Sequence, residues 1–322
     1  MKAIVCNNFG PIKNIEYKDV NKPKIEENSV IIDVQSVGVN FPDGLLVQGK
    51  YQLKPETPFI PGMEVAGVII EIGSNISKFK IGDRVAALTQ LNGYAEKVVV
   101  KESSVFNIPL KMSFDHSCAL LCAYGTSHYA LKQRGKLQKD ELLVVLGASG
   151  STGIAAIQIG KIMGARVIAV SSSSEKQRIA KENGADISIG YDNLKEELKT
   201  ISNGKGVDVI FDPVGGDIFD TVARTMARNG RLLVIGFASG TIPKLAVNLA
   251  LVKEFSVVGV FWGAFTRGDT EEYKKNMIEL FEWYQNDLLK PLTEESYPLS
   301  DAAMVLEKVL SRGAKGKIIL KP

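Results

Sequence analysis

Short apolar runs separated by glycine turns dominate the N-terminal third of the chain. The runs are rich in valine and isoleucine and span residues 29–37, 67–72, 84–88 and 94–100. Glycines stand between them, at Gly38, Gly62, Gly73, Gly82 and Gly93. Short β-branched runs bounded by glycine are typical of strands. This part of the chain is therefore predicted to form an irregular β-domain.

Near Ser113 the pattern changes to the spacing of amphipathic helices. Apolar residues at 118, 119, 121 and 122, and again at 129–131, recur at intervals that place them on one helical face. This spacing predicts helices between the β-domain and the next part of the chain.

From Glu141 onward, short buried-type runs alternate with helical segments. The runs cover 142–146, 166–170, 207–211, 232–235 and 257–260, and the helical segments include 152–163 and 175–182. Such a βαβ series predicts a doubly wound parallel sheet. A charged amphipathic helix at 270–286, a helix beginning at an N-cap Ser300 and a strand at 317–320 are predicted to follow.

The composition is that of a globular protein that is neither nucleic-acid-binding nor membrane-spanning. The chain has 322 residues, 45% of them hydrophobic, and a formal charge of +3 without any long basic run. No continuous apolar run is long enough for a membrane-spanning helix. Three cysteines are too few for a disulfide framework in a chain this long. We therefore expect two domains, a cytoplasmic location, and neither a nucleic acid nor a membrane as a partner.

A glycine-rich turn joins the run 142–146 to a helix. Gly147 is followed by Ala148, Ser149, Gly150, Ser151, Thr152 and Gly153. Gly150 would let the backbone approach a pyrophosphate, Gly153 would let helix and strand pack closely, and the helix N-terminus would attract the phosphate charge. The turn predicts a dinucleotide site, and the alternative is a turn that only connects the two elements.

The residues at the end of the run 166–170, the second run of the βαβ series, favour NADPH over NADH. An NAD-specific site usually carries Asp or Glu there to bind the ribose hydroxyl. Here the run ends in Ser171, Ser172 follows, and Lys176 and Arg178 lie in the next helix. Hydroxyl donors and positive charge suit a 2′-phosphate. The alternative is that Lys176 and Arg178 only solvate an exposed helix face.

The histidines and cysteines do not predict a zinc site. His116 and His128 lie near Cys118 and Cys122, but neither the C-x-x-C nor the H-x3–5-H spacing occurs. Cysteines four residues apart on an apolar helix are typical of the core.

Four motifs together resemble a known superfamily. They are residues 38–43, 61–67 with Gly73, 93–96, and 123–126 before the glycine turn. Their order and spacing resemble the medium-chain dehydrogenase/reductase superfamily, specifically its zinc-free quinone oxidoreductase (zeta-crystallin-like) branch, over essentially the whole chain. The positions of the catalytic zinc ligands in zinc-dependent relatives then fall on Asn40, Met63 and Cys122, so two of the three ligands are missing. The resemblance therefore implies that no metal binds, which disfavours alcohol oxidation.

The resemblance also implies an α/β architecture with defined site residues. A GroES-like domain is expected at 1–118 and 263–322, with a Rossmann domain at 119–262 and the active site in a cleft. Tyr51 and Asn40 would line the cleft near the nicotinamide, with Thr126 beside the ring. Tyr191, Ser172 and Lys176 would face the 2′-phosphate. Two segments would pass over the nicotinamide half of the cofactor, and they contain Gly236, Phe237, Phe261 and Trp262.

The expected function is NADPH-dependent reduction of a quinone or another conjugated carbonyl compound. Tyr51 is suited to donate a hydrogen bond to a carbonyl oxygen, because a phenol stays protonated at neutral pH. Two alternatives remain open: an ene-reductase for α,β-unsaturated aldehydes, ketones or acids, and a non-catalytic NADPH-binding protein. We also expect a homodimer.

Overall fold

The computed structural model describes residues 1–294 and 296–322, which form two compact units. The first unit contains Met1–Cys122 and Lys290–Pro322, and the second contains Ala123–Leu289.

The first unit starts with strands and one short helix. In chain order these are β1 (Lys2–Val5), β2 (Glu16–Asp19), β3 (Ser29–Gly38) and α1 (Phe41–Val47). Four strands and a helix follow: β4 (Glu64–Ile72), β5 (Arg84–Leu88), β6 (Lys97–Lys101), β7 (Val105–Asn107) and α2 (Phe114–Ala119). Short 3₁₀ turns lie at Ile12–Asn14 and Glu102–Ser104.

Helices and strands then alternate along the second unit. Helix α3 (Gly125–His128) lies between the π-helical segments Leu120–Tyr124 and Tyr129–Arg134. Next come β8 (Leu142–Leu146), α4 (Ser151–Ile162), β9 (Arg166–Val170), α5 (Ser174–Glu182), β10 (Ile187–Ile189) and α6 (Leu194–Ile201). The unit ends with β11 (Val207–Asp212), α7 (Ile218–Ala223), β12 (Met226–Val234), α8 (Val247–Lys253), β13 (Ser256–Gly259), α9 (Trp262–Gly268) and α10 (Thr270–Gln285).

The last segment of the chain completes the first unit. It contains β14 (Tyr297–Pro298), a 3₁₀ turn at Leu299–Asp301, α11 (Ala302–Leu310) and β15 (Ile319–Lys321). The prediction of Ser300 as an N-cap is wrong, because Ser300 lies inside the 3₁₀ turn and Asp301 occupies the N-cap position.

The main sheet of the first unit confirms the predicted β-domain. Its strand order is β14-β15-β3-β4-β5-β7, and β6 also pairs with β3. All of these pairs are antiparallel except β14 with β15. As a result, β3 has β15 and β4 as direct neighbours, although the three strands are far apart in the sequence.

The sheet of the second unit confirms the predicted doubly wound topology. Six parallel strands lie in the order β10-β9-β8-β11-β12-β13. The direction of the strand order reverses between β8 and β11. In open parallel sheets, ligands bind outside the carboxyl ends of the strands at such a point. The glycine turn that begins at Gly147 follows β8 and therefore lies at this edge of the sheet.

The observed domain boundaries differ from the predicted ones. The first unit extends to Cys122 rather than to residue 118, and the chain returns to it at Lys290 rather than at residue 263. Helix α10 belongs to the second unit, where it buries Tyr273, Met277, Leu280 and Phe281. The sequence shows that this helix has an apolar face, but it does not show which core that face joins.

All three cysteines are free thiols in the interior of the protein. Among the described residues, the structure contains no helix that is both long enough and apolar enough to cross a membrane.

Candidate active site

A buried ion pair contacts the side chain of Asn40 in the first unit. The Lys317 ammonium contacts Glu64 Oε1 and donates a hydrogen bond to Asn40 Oδ1 over 2.7 Å. Asn40 Nδ2 donates to the same Glu64 Oε1 over 2.8 Å. The side chains of Lys317 and Glu64 are only 1% and 0% exposed. Two opposite charges therefore neutralise each other in the interior, and Asn40 bonds to both.

The strand order brings these three residues together. Asn40 follows β3 at the N-cap of α1, Glu64 begins β4, and Lys317 comes shortly before β15. The first unit pairs β3 with β4 and with β15. A Cβ atom at Gly38 would lie 2.3 Å from Glu64 Oε1, so this carboxylate needs a glycine at the end of β3.

The surroundings keep Lys317 charged and hold Glu64 in place. Burial alone would lower the pKa of Lys317, but the Glu64 carboxylate beside it more than compensates, and the pKa is raised overall. The second carboxylate oxygen of Glu64 accepts the backbone N–H of Cys122 over 2.7 Å. Both oxygens of this carboxylate are therefore engaged.

Asp43 supports the start of α1. It is fully buried, and its Oδ2 accepts the backbone N–H of Asn40 over 2.8 Å and the hydroxyl of Tyr94 over 3.0 Å. Burial raises its pKa to about 7, although those two hydrogen bonds and the charge of Lys317 act in the opposite direction. These contacts fix the backbone from which the Asn40 side chain projects.

The structure places the cysteines and histidines of the sequence analysis in other roles. Cys118 and Cys122 are buried core residues, and burial raises the pKa of both thiols well above the ordinary value. His128 Nε2 lies 2.6 Å from Glu279 Oε2. Within residues 1–294 and 296–322, no three His, Cys, Asp or Glu side chains are grouped so that they could hold a metal ion.

Tyr51 lies beyond the end of α1 in the first unit. It is half-buried and packs against the apolar core of that unit. Its role as a hydrogen-bond donor to an acceptor molecule stays a prediction.

The glycine turn of the second unit has the geometry of an anion site. A Cβ atom at Gly153 would lie 2.5 Å from the carbonyl oxygen of Gly147, so glycine permits the close approach of helix and strand. A Cβ atom at Gly150 would contact only the carbonyl oxygen of Gly147, 3.5 Å away. The N–H of Ile154 bonds to the carbonyl of Gly150, which leaves the N–H groups of residues 151–153 at the open end of α4. This end of the helix can hold a phosphate.

Other contacts fix the shape of the turn. Ala148 and Ser149 are buried, and the backbone N–H of Ala148 bonds to the carbonyl of Val170 at the end of β9. The Tyr191 hydroxyl accepts the backbone N–H of Gly147 over 3.1 Å. The structure thus brings Tyr191 to the glycine turn, and its predicted contact with a 2′-phosphate stays a prediction.

The end of β9 carries a buried hydroxyl without a hydrogen bond. Ser171 is 2% exposed, and its Oγ has no hydrogen-bond partner among the described residues. Ser172 is exposed, and Lys176 is half-buried in the first turn of α5. Arg178 instead forms an exposed ion pair with Glu182, as in the alternative interpretation of a solvated helix face.

Thr126 lies in α3, a helix that contacts the first turn of α4. Its neighbour Ser127 donates a hydrogen bond to the carbonyl of Thr152 over 2.9 Å, which ties α3 to the first turn of α4. Trp262 is 8% exposed and packs so closely on Gly125 that a Cβ there would lie 2.6 Å from its ring. Trp262 is thus a core residue of this unit, whereas Phe261 is 52% exposed.

Gly236 and Phe237 follow β12 at the same edge of the sheet as the glycine turn. A Cβ atom at Gly215, in the loop after β11, would lie 2.9 Å from the Phe237 ring. The loops after β11 and β12 are therefore in contact at the edge where ligands bind in such sheets.

Two family models match the chain, one in each part. The model described as "Alcohol dehydrogenase GroES-like domain" matches residues 26–110, and the model described as "Zinc-binding dehydrogenase" matches residues 151–283. A "Quinone oxidoreductase-like protein 2 homolog" from Nematostella vectensis is 35% identical over 99% of this chain and 88% of its own length. The chain belongs to the quinone oxidoreductase branch of the medium-chain dehydrogenase/reductase superfamily.

Solved structures of similar proteins agree with this membership. A probable oxidoreductase from Mycobacterium abscessus has 36% sequence identity and a TM-score of 0.92, with 100% of this chain and 99% of the other covered. A quinone oxidoreductase from Escherichia coli, solved in complex with NADPH, has 26% identity and a TM-score of 0.93, with both chains fully covered. The fold of this family member is therefore that of the predicted GroES-like and Rossmann domains.

Sequence reasoning missed Lys317 beside Asn40 in the first unit and Asp212 at the end of β11 in the second unit. Asp212 ends β11, and its Oδ1 accepts the backbone N–H groups of Val214 and Gly215 over 2.8 and 2.9 Å. Burial raises its pKa. The only sequence signal for Lys317 was its position directly before the apolar run 318–320.

Proposed function

We propose that this oxidoreductase uses NADPH to reduce a quinone or another conjugated carbonyl compound. The proposal rests on two neighbouring features, the open N-terminus of α4 and the end of β9. At the end of β9, Ser171 stands where an NAD-specific site usually has a carboxylate, and its buried hydroxyl has no hydrogen-bond partner in the part of the chain that the structure describes. The NADPH complex of the similar Escherichia coli protein supports the choice of cofactor. Bound NADPH supplies a hydride.

The residues of the second unit fit the two charged parts of this cofactor. The free N–H groups of Ser151, Thr152 and Gly153 would bind the pyrophosphate, since the helix dipole favours an anion there. Ser171, Ser172 and Lys176 would bind the 2′-phosphate. Two hydroxyls and an ammonium match three phosphate oxygens better than they match a plain ribose hydroxyl.

The residues of the first unit fit the acceptor. Tyr51 would donate its phenolic hydrogen to the acceptor oxygen that gains electron density during hydride transfer. Asn40 would line the same site and contact another part of the acceptor. Neither role requires a group with a tuned pKa, because hydride transfer depends mainly on geometry and on stabilisation of the developing charge.

Steady-state oxidation of NADPH with a panel of quinones and α,β-unsaturated carbonyl compounds tests this function. We expect turnover with quinones. Turnover restricted to the unsaturated carbonyl compounds would identify an ene-reductase. Tight NADPH binding in calorimetry without turnover on any acceptor would identify a non-catalytic NADPH-binding protein.

The cofactor preference gives a direct prediction. NADPH should bind at least tenfold more tightly than NADH, a difference of about 1.4 kcal/mol that is within reach of one charge-assisted contact. Lys176→Ala should weaken NADPH and leave NADH nearly unchanged in calorimetry. Arg178→Ala is the matched control, because Arg178 is paired with Glu182 and should affect neither cofactor. Equal affinities of the unaltered protein for both cofactors would refute the prediction.

We also propose that the enzyme works without a metal ion. The resemblance assigns two zinc-ligand positions to Asn40 and Met63, and the Asn40 oxygen is already bonded to the Lys317 ammonium. The purified protein should hold substoichiometric zinc and keep its activity in a chelator. Activity that is lost on chelation and restored by zinc would contradict this.

We further propose that two copies of the chain pair through β13. This strand pairs only with β12 in the described part of the sheet and is an edge strand. The N–H of Val260 bonds to Val234 in β12, so the N–H groups of Val257 and Gly259 point to the open edge. Nearby in the chain, α8 exposes large aliphatic side chains that are 73–78% accessible: Val247, Leu251 and Val252. A second copy related by a two-fold axis would extend the sheet and cover an apolar surface of this kind.

Val257→Pro is expected to convert such a dimer into a monomer of 35.0 kDa. Proline removes the outward N–H but tolerates an edge strand and leaves the bonds to β12 in place. Light scattering after size exclusion gives the mass. Val257→Thr keeps the N–H and the branched side chain and should remain dimeric. A monomeric unaltered protein would contradict the proposal.

A further inference from the structure

We propose that Glu64 and Lys317 are positioning residues for the reduction and act through the side-chain amide of Asn40. This inference rests on the proposed function, in which Asn40 contacts the acceptor. Glu64 and Lys317 are enclosed, whereas Asn40 is only half-buried. Of the three, Asn40 is the one that a bound molecule can reach.

The two charges allow only one orientation of the amide. The Lys317 ammonium can only donate hydrogen bonds and it contacts Oδ1, while the Glu64 carboxylate that pairs with it accepts from Nδ2. Rotation of the amide by half a turn would place its NH₂ group against an ammonium and its oxygen against a carboxylate. Both contacts would then be repulsive.

These contacts also define what the amide can still bind. The second hydrogen of Nδ2 is directed at the Gly38 carbonyl over a long 3.4 Å. Oδ1 has two lone pairs and uses one for Lys317. The free position is therefore a lone pair on Oδ1, so the group that Asn40 binds best is an N–H or O–H donor. Asn40 is thus complementary to Tyr51, whose hydroxyl would donate.

Stability alone does not account for this pair. Replacement of a buried ion pair by apolar residues of similar volume is often neutral or stabilising. A neutral pair of the same size would fill the space equally well, but it would not discriminate between the two orientations of the amide. Fixed orientation of a group that contacts substrate is what these two charges add.

A double-mutant cycle tests the inference. Glu64→Gln together with Lys317→Met removes both charges with little change in volume. We expect kcat with a quinone to fall by about ten- to a hundredfold, as for a misplaced contact group, and the Kd for NADPH to stay the same. Asn40→Ala should cause a similar loss. With all three substitutions the loss should equal that of Asn40→Ala alone, because the pair acts through Asn40.

The outcomes separate this inference from the proposed function. Two results would overturn this inference and leave the proposed function intact. In the first, the loss of kcat in the triple variant is the product of the losses in the double variant and in Asn40→Ala. In the second, Glu64→Gln/Lys317→Met keeps full kcat while Asn40→Ala loses activity. Full activity of Asn40→Ala would remove Asn40 from the proposed site as well. If the double variant does not fold, Gly38→Ala replaces it in the cycle, because its methyl group displaces the Glu64 carboxylate without a change in charge. Unchanged kcat in Gly38→Ala would likewise overturn the inference.

Discussion

Replacement of Tyr51 by phenylalanine is expected to lower kcat/KM for a quinone or enone by about ten- to a thousandfold. The phenolic hydrogen would stabilise the acceptor oxygen as negative charge develops there, so its contribution is largest in the transition state. Phenylalanine keeps the aromatic ring that packs against the core of the first unit. Lost packing is therefore not expected to imitate lost catalysis. Steady-state kinetics over a range of acceptor concentrations gives the effect.

Two controls define the role of Tyr51. The affinity for NADPH should hardly change, and Tyr17→Phe, at an exposed tyrosine on β2, should have normal kinetics. Unchanged turnover in Tyr51→Phe would show that Tyr51 lines the site without donating a hydrogen bond to the acceptor. Loss of NADPH binding would instead assign its hydroxyl to the cofactor.

Replacement of Lys317 by methionine is expected to reduce the free energy of unfolding by about 3–5 kcal/mol. The carboxylate of Glu64 is fully buried, and Lys317→Met removes the cation that compensates its charge. Urea denaturation followed by far-UV circular dichroism measures the loss, and the affected transition should be that of the unit containing Lys317.

The double variant Glu64→Gln/Lys317→Met separates charge imbalance from lost packing. It should be much more stable than Lys317→Met, because both charges leave together. Lys2→Met removes an ammonium from the exposed pair with Asp19 and should change stability little. A small effect of Lys317→Met would show that water or a neighbouring group compensates the Glu64 charge.

Local features of the second unit could be predicted from the sequence. The strands at 142–146, 166–170 and 207–211, the glycine turn and the parallel sheet all appear as expected. Each depends on residues that are close in the sequence: an apolar run forms a buried strand, and glycines at set spacing join it to a helix. The preference for serine over a carboxylate at the end of β9 could be read in the same way.

The assignment of α10 to a domain could not be predicted in this way. Its amphipathic pattern correctly indicated a helix, but the chain returns to the first unit only at Lys290. An apolar face contributes the same free energy in either core, so the pattern of one helix does not say which core it joins.

The sequence by itself determined the two-domain architecture, the family, and the turn that would hold a dinucleotide. Only the tertiary structure decided the surroundings of Asn40. Lys317 lies 277 residues from Asn40, and Glu64 lies 24 residues away, yet both bond to its amide. In a sequence, a lysine is expected at the surface, where water solvates its charge. Lys317 is buried because β15 and β4 flank β3, which brings a carboxylate and an amide to its ammonium in place of water.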